Sequence, residues 1–344
     1  MATFTRHSIV PKPPAPKAST RNSALDFTKG FLVLLMVVYH WCNYFIGPQT
    51  AVYKYIRFLT PSFIFITGFI VANIYFAKYD IRDLRLPARL AIRALKIIAV
   101  FVALNAMISA VLRTYGNHPP IPQMLITRLI GTAQPGIKDA AFPVLVPIGQ
   151  LLLLSAVLVF MYRFTPYVVH VFCMVGFTGV ILLRMSAIEN PNADLIAIGS
   201  LGMVIGMLPL PRLIGVVNRP VILAVAYVLF DLAVWFWGEP YALQVIGVCL
   251  NVAIIYLVGA SRWADNRIGR IIVLLGKYSL FGYISQIAIL QVLRRTMTAN
   301  TFGSYRFTVS FVLAIVLTTW SVILLNATRR RSSPIDRSYK LIFA

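Results

Sequence analysis

Charge is scarce in this sequence, and acid scarcest of all: the 344 residues include only 10 Asp and Glu, and Asp, Glu, Lys and Arg together make up 12%. A soluble domain devotes about a quarter of its residues to these four types, so water is not the main solvent of this chain. Cysteine is nearly absent too. Cys42, Cys173 and Cys249 all lie in apolar runs without paired spacing, which excludes a disulfide framework or a zinc cluster and leaves them as packing residues. The sequence holds no P-loop, no GxGxxG turn, no Ser-His-Asp order and no His/Cys/Asp/Glu cluster with metal-ligand spacing, so nucleotide-binding and metal-centred chemistry have no motif to rest on. Residues 1–23 are polar, Pro-rich and basic with no apolar core; they read as a disordered cytoplasmic lead-in rather than a signal peptide.

What the chain has in abundance is apolar length. It is 59% hydrophobic with a mean hydropathy of +0.80, and stretches of about 18–22 residues, each long enough to cross the hydrocarbon core as a helix, recur almost end to end. They predict an all-α polytopic bundle of about ten membrane-spanning helices, at 24–46, 55–77, 90–112, 143–162, 165–184, 194–210, 219–237, 241–259, 270–293 and 307–327. The expected organisation is a basic segment over 1–23, one membrane domain over 24–327 and a basic cytoplasmic tail over 328–344.

The 32 Lys and Arg give a formal charge of +22. In a soluble chain that excess would suggest nucleic acid, but here the positives sit between spans, where they fit the positive-inside rule and anionic lipid headgroups. With ten spans, the groups at Arg6–Arg21, Lys78–Lys96, Arg163, Arg212–Arg219, Arg262–Arg270 and 329–340 fall on one side. Arg294, Arg295 and Arg306 are the exceptions. Both termini are therefore expected in the cytoplasm and the protein in the inner membrane, with lipids and not nucleic acid as surroundings. Association into a homo-oligomer is left open by the sequence.

The one long loop on the opposite side, 113–142, includes an amphipathic stretch at Ile121–Ile130. It reads either as a partly ordered lid or re-entrant helix or as a helix lying on the membrane surface.

Titratable groups within a span are costly and usually face a protein interior or a watery cavity. The first span carries three: Asp26, Lys29 and His40. At 100° per residue the eleven-residue step from Lys29 to His40 returns to within about 20° of the same direction and climbs about 16 Å. Asp26, at i,i+3 from Lys29, can pair with it, and it lies about 21 Å from His40, too far to orient the imidazole.

Lys29 and His40, within Leu-Asp-Phe-Thr-Lys-Gly and ending in Val-Tyr-His, resemble the Arg-x10-His signature of the transmembrane acyltransferase superfamily. That group includes acyltransferase family 3 and the heparan-α-glucosaminide N-acetyltransferase-like proteins. Three further segments agree. Phe58 to Phe69 resembles the Phe-rich second helix ending in Gly-Phe, Arg89 to Lys96 the Arg-rich opening of the third, and Leu275-Gly276-Lys277-Tyr278-Ser279-Leu280 the Leu-Gly-x-x-Ser start of a late helix. Two residues depart from the pattern. Lys29 replaces the usual Arg, losing a bidentate grip but keeping the charge, and Gln286 stands where many family 3 members have a His.

The resemblance implies transfer of an acyl group, acetyl first among them, from cytoplasmic acyl-CoA to a hydroxyl or amine of a saccharide or glycolipid on the far side of the membrane, without a metal. His40 is then the general base or a transient acyl carrier, since a neutral imidazole accepts a proton near neutral pH. Lys29 would meet the CoA phosphates or the thioester, supported by Asp26. Arg89, Arg93 and Lys96, spaced four and three apart, could bind the CoA phosphates or simply set topology. Asn105 and Gln150 could serve an interhelical hydrogen bond or a substrate contact. His118 and Asp139 in the long loop could serve an acceptor site, whereas His170 reads as structural. Trp235, Trp237 and Trp320 read as interfacial anchors. The competing class is a proton-coupled transporter or flippase using the Asp26/Lys29/His40 stripe. The lack of any counterpart charge in span six favours the enzyme.

Overall fold

The computed structural model describes residues 22–47, 54–76, 85–113, 121–130, 142–238, 240–297 and 303–343, and among these every regular element is helical. In chain order they are α1 (Ser23–Trp41), α2 (Leu59–Ile70), α3 (Arg85–Arg113), α4 (Ile121–Ile130), α5 (Leu145–Tyr162), α6 (Val168–Met185), α7 (Pro191–Gly206), α8 (Leu210–Val217), α9 (Pro220–Trp237), α10 (Tyr241–Ala260), α11 (Arg267–Lys277), α12 (Ser279–Thr296), α13 (Arg306–Arg331) and α14 (Ser333–Phe343). Among the described residues, eight helices are long and apolar enough to cross a membrane on their own, and two bent pairs bring the number to as many as ten. The all-α membrane bundle expected from hydropathy is the fold observed.

Local chemistry sets the ends of these helices. Asn22 caps α1 by accepting a hydrogen bond from the amide of Leu25 at 3.2 Å, and Asp26 sits in the first turn where the helix dipole favours an anion. At its far end α1 loosens into π-helical turns over Cys42–Ile46 and stops at Gly47, whose φ of 97° suits glycine. Asn190 caps α7 ahead of Pro191.

One span read as continuous in the sequence is broken, and another ends at a sharp turn. The expected span 194–210 is α7, which ends at Gly206 and turns by 106° into the short α8, where Pro209 and Pro211 cannot continue the preceding helix. The expected span 270–293 turns by 94° between α11 and α12. α11 is amphipathic, burying Ile272 and Leu275 against the bundle while Arg267, Arg270 and Lys277 stay exposed, so it forms a separate segment from the apolar α12.

Helices approach most closely through glycine. A Cβ on Gly276 of α11 would fall 1.6 Å from the carbonyl oxygen of Asp26, and one on Gly30 would fall 1.8 Å from that of Ile272, so α1 and α11 touch backbone to backbone. Gly68 of α2 and Gly202 of α7 do the same for a second pair, at 1.9 Å from the oxygen of Gly199 and 2.1 Å from that of Phe65. Close packing of this kind substitutes for the hydrophobic drive that lipid cannot supply.

Ser23, at the start of α1, and Arg330, near the end of α13, line one cleft together with Arg262, Arg270 and Lys277. The two ends of the helical bundle therefore share a face, and that face carries basic residues. The C-terminal segment folds back on it as α14. The guanidinium of Arg329 lies 3.8 Å from the ring centre of Tyr339, which packs edge-on against Tyr278 at the α11–α12 break, and Asp336 accepts hydrogen bonds from Arg329 and pairs with Lys340.

Within the long loop, α4 occupies the stretch whose pattern was amphipathic. The last carbonyls of a helix lack partners of their own. Here Asn192, Gln150 and Asn190 supply them, donating to Arg128, Leu129 and Ile130 at 2.8, 2.7 and 3.2 Å. The helix is thereby tied to α5 and to the start of α7. His118 and Asp139 lie outside the described residues.

Candidate active site

Asp26 and Lys29 form the pair their spacing predicts, with Nζ 2.7 Å from Oδ1. The carboxylate is nearly buried, while the ammonium keeps about a fifth of its side chain exposed. Because Gly276 and Gly30 hold α11 against this turn of α1, the pair is fixed against the start of the broken span.

Lys29 opens on a cavity of about 130 Å³ between α1, α2, α3, α5 and α12. Its polar lining comes from separate helices: Thr67 of α2, Tyr75 on the π-helical turns that extend α2, Arg93 of α3, and Ser279 and Tyr283 of α12. The rest is aliphatic or aromatic, including Phe63, Ile97, Leu145 and Leu280, and none of the described lining residues carries a carboxylate. Arg93 donates from Nη1 to the hydroxyl of Tyr75 at 2.5 Å. The hydroxyl of Thr67 donates to the carbonyl of Phe63 at 2.8 Å. The result is an apolar chamber with two positive side chains at its wall, suited to an uncharged chain with an anionic end.

His40 is not among the cavity-lining residues but stands one ring away. Its ring centre is 6.3 Å from that of Tyr283, a cavity residue. Nε2 of His40 is buried without a hydrogen-bond partner among the described residues. Phe142 packs edge-on against the other side of Tyr283 at 6.0 Å and adopts a φ of 59°, a backbone conformation that costs an ordinary residue about 1–3 kcal/mol and often accompanies functional sites.

The remaining predicted residues divide. Arg93 reaches the cavity, but Arg89 is exposed and not part of its lining, and Lys96 donates from Nζ to the carbonyl of Lys340 in α14 at 3.4 Å. All three share a stripe of α3, yet the stripe climbs about 10 Å, and only its middle member is level with the cavity. Asn105 donates to its own helix at Phe101, and Gln150 is the residue that caps α4. His170 is exposed on α6, as are Trp235, Trp237 and Trp320 on the outer surface. Thr67, which with Gly68 reads from sequence as shaping a cavity in the second span, does line it; Tyr283 and Tyr75 were not singled out, because an aromatic residue in an apolar span is ordinary there. No group of three His, Cys, Asp or Glu side chains comes together as a metal site among the described residues.

A family model for the acyltransferase domain of acyltransferase family 3 matches residues 22–327. The chain belongs to acyltransferase family 3. No curated protein and no solved structure gives a significant match. Membership of this acyltransferase family calls for an acyl donor and an acceptor, and it gives the cavity a context: Lys29, Thr67, Arg93 and Ser279 come from the four segments whose sequences resemble the superfamily. They are spread over 250 residues of chain and line one chamber.

Proposed function

We propose that this acyltransferase moves an acyl group, acetyl in the first instance, from acyl-CoA at the cytoplasmic face to a hydroxyl or amine of a saccharide or glycolipid on the other side of the inner membrane. The observation that carries this reading is the convergence of four separate segments on one cavity beside His40. The chamber is too small for a whole CoA and suits the slender uncharged arm that carries its thioester toward His40. Lys29 and Arg93 then offer positive charge to the phosphate-bearing part, and the basic face shared by the ends of the bundle is the cytoplasmic one by the positive-inside rule.

His40 is the base in this scheme. Its unpaired Nε2 takes the proton of the acceptor as the acceptor's oxygen or nitrogen bonds to the thioester carbon, and the carbon–sulfur bond then breaks. The leaving thiolate of CoA recovers the proton from the imidazolium. Lys29 and Arg93 hold the donor and take no part in proton transfer; Asp26 keeps Lys29 in place.

The test uses purified protein with radiolabelled acetyl-CoA and cell-envelope glycan, following thiol release and label on the glycan. Wild type should transfer, and His40→Ala should lose at least about 100-fold, the range general-base removal costs. Folded wild-type protein that releases no thiol from any acyl-CoA would overturn the reading. Full transfer by His40→Ala would remove His40 from it.

A further inference from the structure

The buried Nε2 of His40 is not alone among the polar atoms of neighbouring helices that lack partners among the described residues. Both amide atoms of Gln286 in α12 and the hydroxyl of Thr318 in α13 are also unpaired, and both residues are fully buried. Buried polar groups are nearly always hydrogen-bonded, because leaving them unpaired in a dry interior is costly.

Helix geometry brings the three together. Gly282 of α12 marks the junction of α1, α12 and α13: a Cβ there would lie 3.2 Å from Val33 and 3.8 Å from Val322. Gln286 is four residues after Gly282, Thr318 four before Val322, and His40 seven after Val33. Steps of four and seven return to within about 40° and 20° of the starting direction, so all three side chains leave their helices on the faces that meet there. They also lie on the same side of the junction. Gln291 of α12 donates to Tyr44 beyond α1 at 3.4 Å, so α12 runs alongside α1, and Trp41 donates to Ser310 at 2.9 Å, so α13 runs against it. From the junction, Gln286 and Thr318 lie about 6 Å along the bundle and His40 about 10 Å. Ser321 donates to Ser285 at 3.2 Å, which fixes the register of α12 and α13 beside both residues.

We propose that Gln286 and Thr318 bind the acyl carbonyl oxygen of the donor thioester next to His40. This rests on the acyl-transfer reading above. An amide N–H and a hydroxyl on facing helices, with an unpaired imidazole nitrogen about one turn further along, are the groups the reaction needs: two neutral donors for the oxygen on which charge develops and a base for the acceptor's proton. When the acceptor atom bonds to the carbonyl carbon and yields its proton to Nε2, the carbonyl electron pair moves onto oxygen and is held by the two donors. When the pair returns, the carbon–sulfur bond breaks and the thiolate takes the proton from His40. The site is level with Val37, about 12 Å along α1 from Lys29, which separates the thioester from the charges that hold the rest of the donor.

Calorimetry with acetyl-CoA and with free CoA isolates the acyl group, the one part in which these probes differ. Wild type should bind acetyl-CoA more tightly than CoA. Gln286→Leu and Thr318→Val should bind CoA as wild type does but lose that preference, and kcat for acetyl transfer should fall on the order of 100-fold, as when one oxyanion donor is removed. Unchanged preference and kcat in a Gln286→Leu protein with wild-type CoA affinity would overturn the proposal and leave the acyl-transfer reading standing. Wild-type protein that binds neither probe would overturn both. If Gln286→Leu does not fold, the nearly isosteric Thr318→Val decides.

Discussion

At the residue scale, the Asp26–Lys29 pair separates a structural cost from a functional one. Removing Lys29 as Lys29→Met takes the 2.7 Å partner from an almost buried carboxylate, and breaking a buried pair on one side costs about 3–5 kcal/mol. The exposed fifth of the ammonium places this case at the lower end. The double variant Asp26→Asn/Lys29→Met should recover most of the melting temperature in detergent but not the affinity for acetyl-CoA. Recovery of both would show that Lys29 serves only Asp26. The pair and the shared face with His40 were legible in the sequence because helical periodicity alone fixes them. Tyr283 was not, since only the packing of α12 against α1 shows that its ring joins the cavity to His40. Gln286 was visible as a departure from a family pattern, but its unpaired amide is a property of three helices and not of one.

At the element scale, the glycine contacts make a sharp contrast. Gly276→Val would put side-chain atoms where the Asp26 carbonyl stands, and Gly179→Ala in α6 would meet nothing within 4 Å. Overpacking typically costs about 1–3 kcal/mol; a clash with backbone belongs at or beyond the top of that range. Thermal unfolding in detergent should show a large loss for Gly276→Val and little change or a small gain for Gly179→Ala. Hydropathy identified where the chain is apolar but not where it turns, so 270–293 read as one span although Lys277 and Tyr278 mark a 94° break. The averaging that detects a span conceals the amphipathic face of α11.

The tail helix α14 gives a pH expectation. Hydrogen bonds from Lys340 and Arg329 hold the carboxyl of Asp336 below the ordinary carboxylate range. A depressed carboxylate contributes stability that is fully present above its unfolded value of about 3.9 and is lost as pH falls through the lower folded value. Docking of α14 should therefore be constant through the neutral range and weaken only below about pH 4. Hydrogen exchange over 333–343 at pH 7, 5.5 and 3 measures this; loss of protection at pH 5.5 would assign the docking to some other group. That the basic tail forms a helix under the α11–α12 break was not legible from composition, because Arg329, Tyr339 and Tyr278 become neighbours only through the fold.

For the whole molecule, Ser23 and Arg330 line one cleft with Arg262, Arg270 and Lys277, so the described ends of the bundle meet on one basic face. The all-helical bundle was readable end to end, since each apolar run is a direct physical demand of the membrane. The cavity was readable only in part, because its walls come from residues scattered along the chain. The most direct measurement uses sealed vesicles of known orientation, with labelled acetyl-CoA supplied only at the face carrying the basic residues and glycan acceptor only at the other. Wild-type protein should label the acceptor, and His40→Ala should label it at least about 100-fold less. Labelling that requires donor and acceptor on the same face, or that His40→Ala supports fully, would contradict transfer across the membrane with His40 as the base.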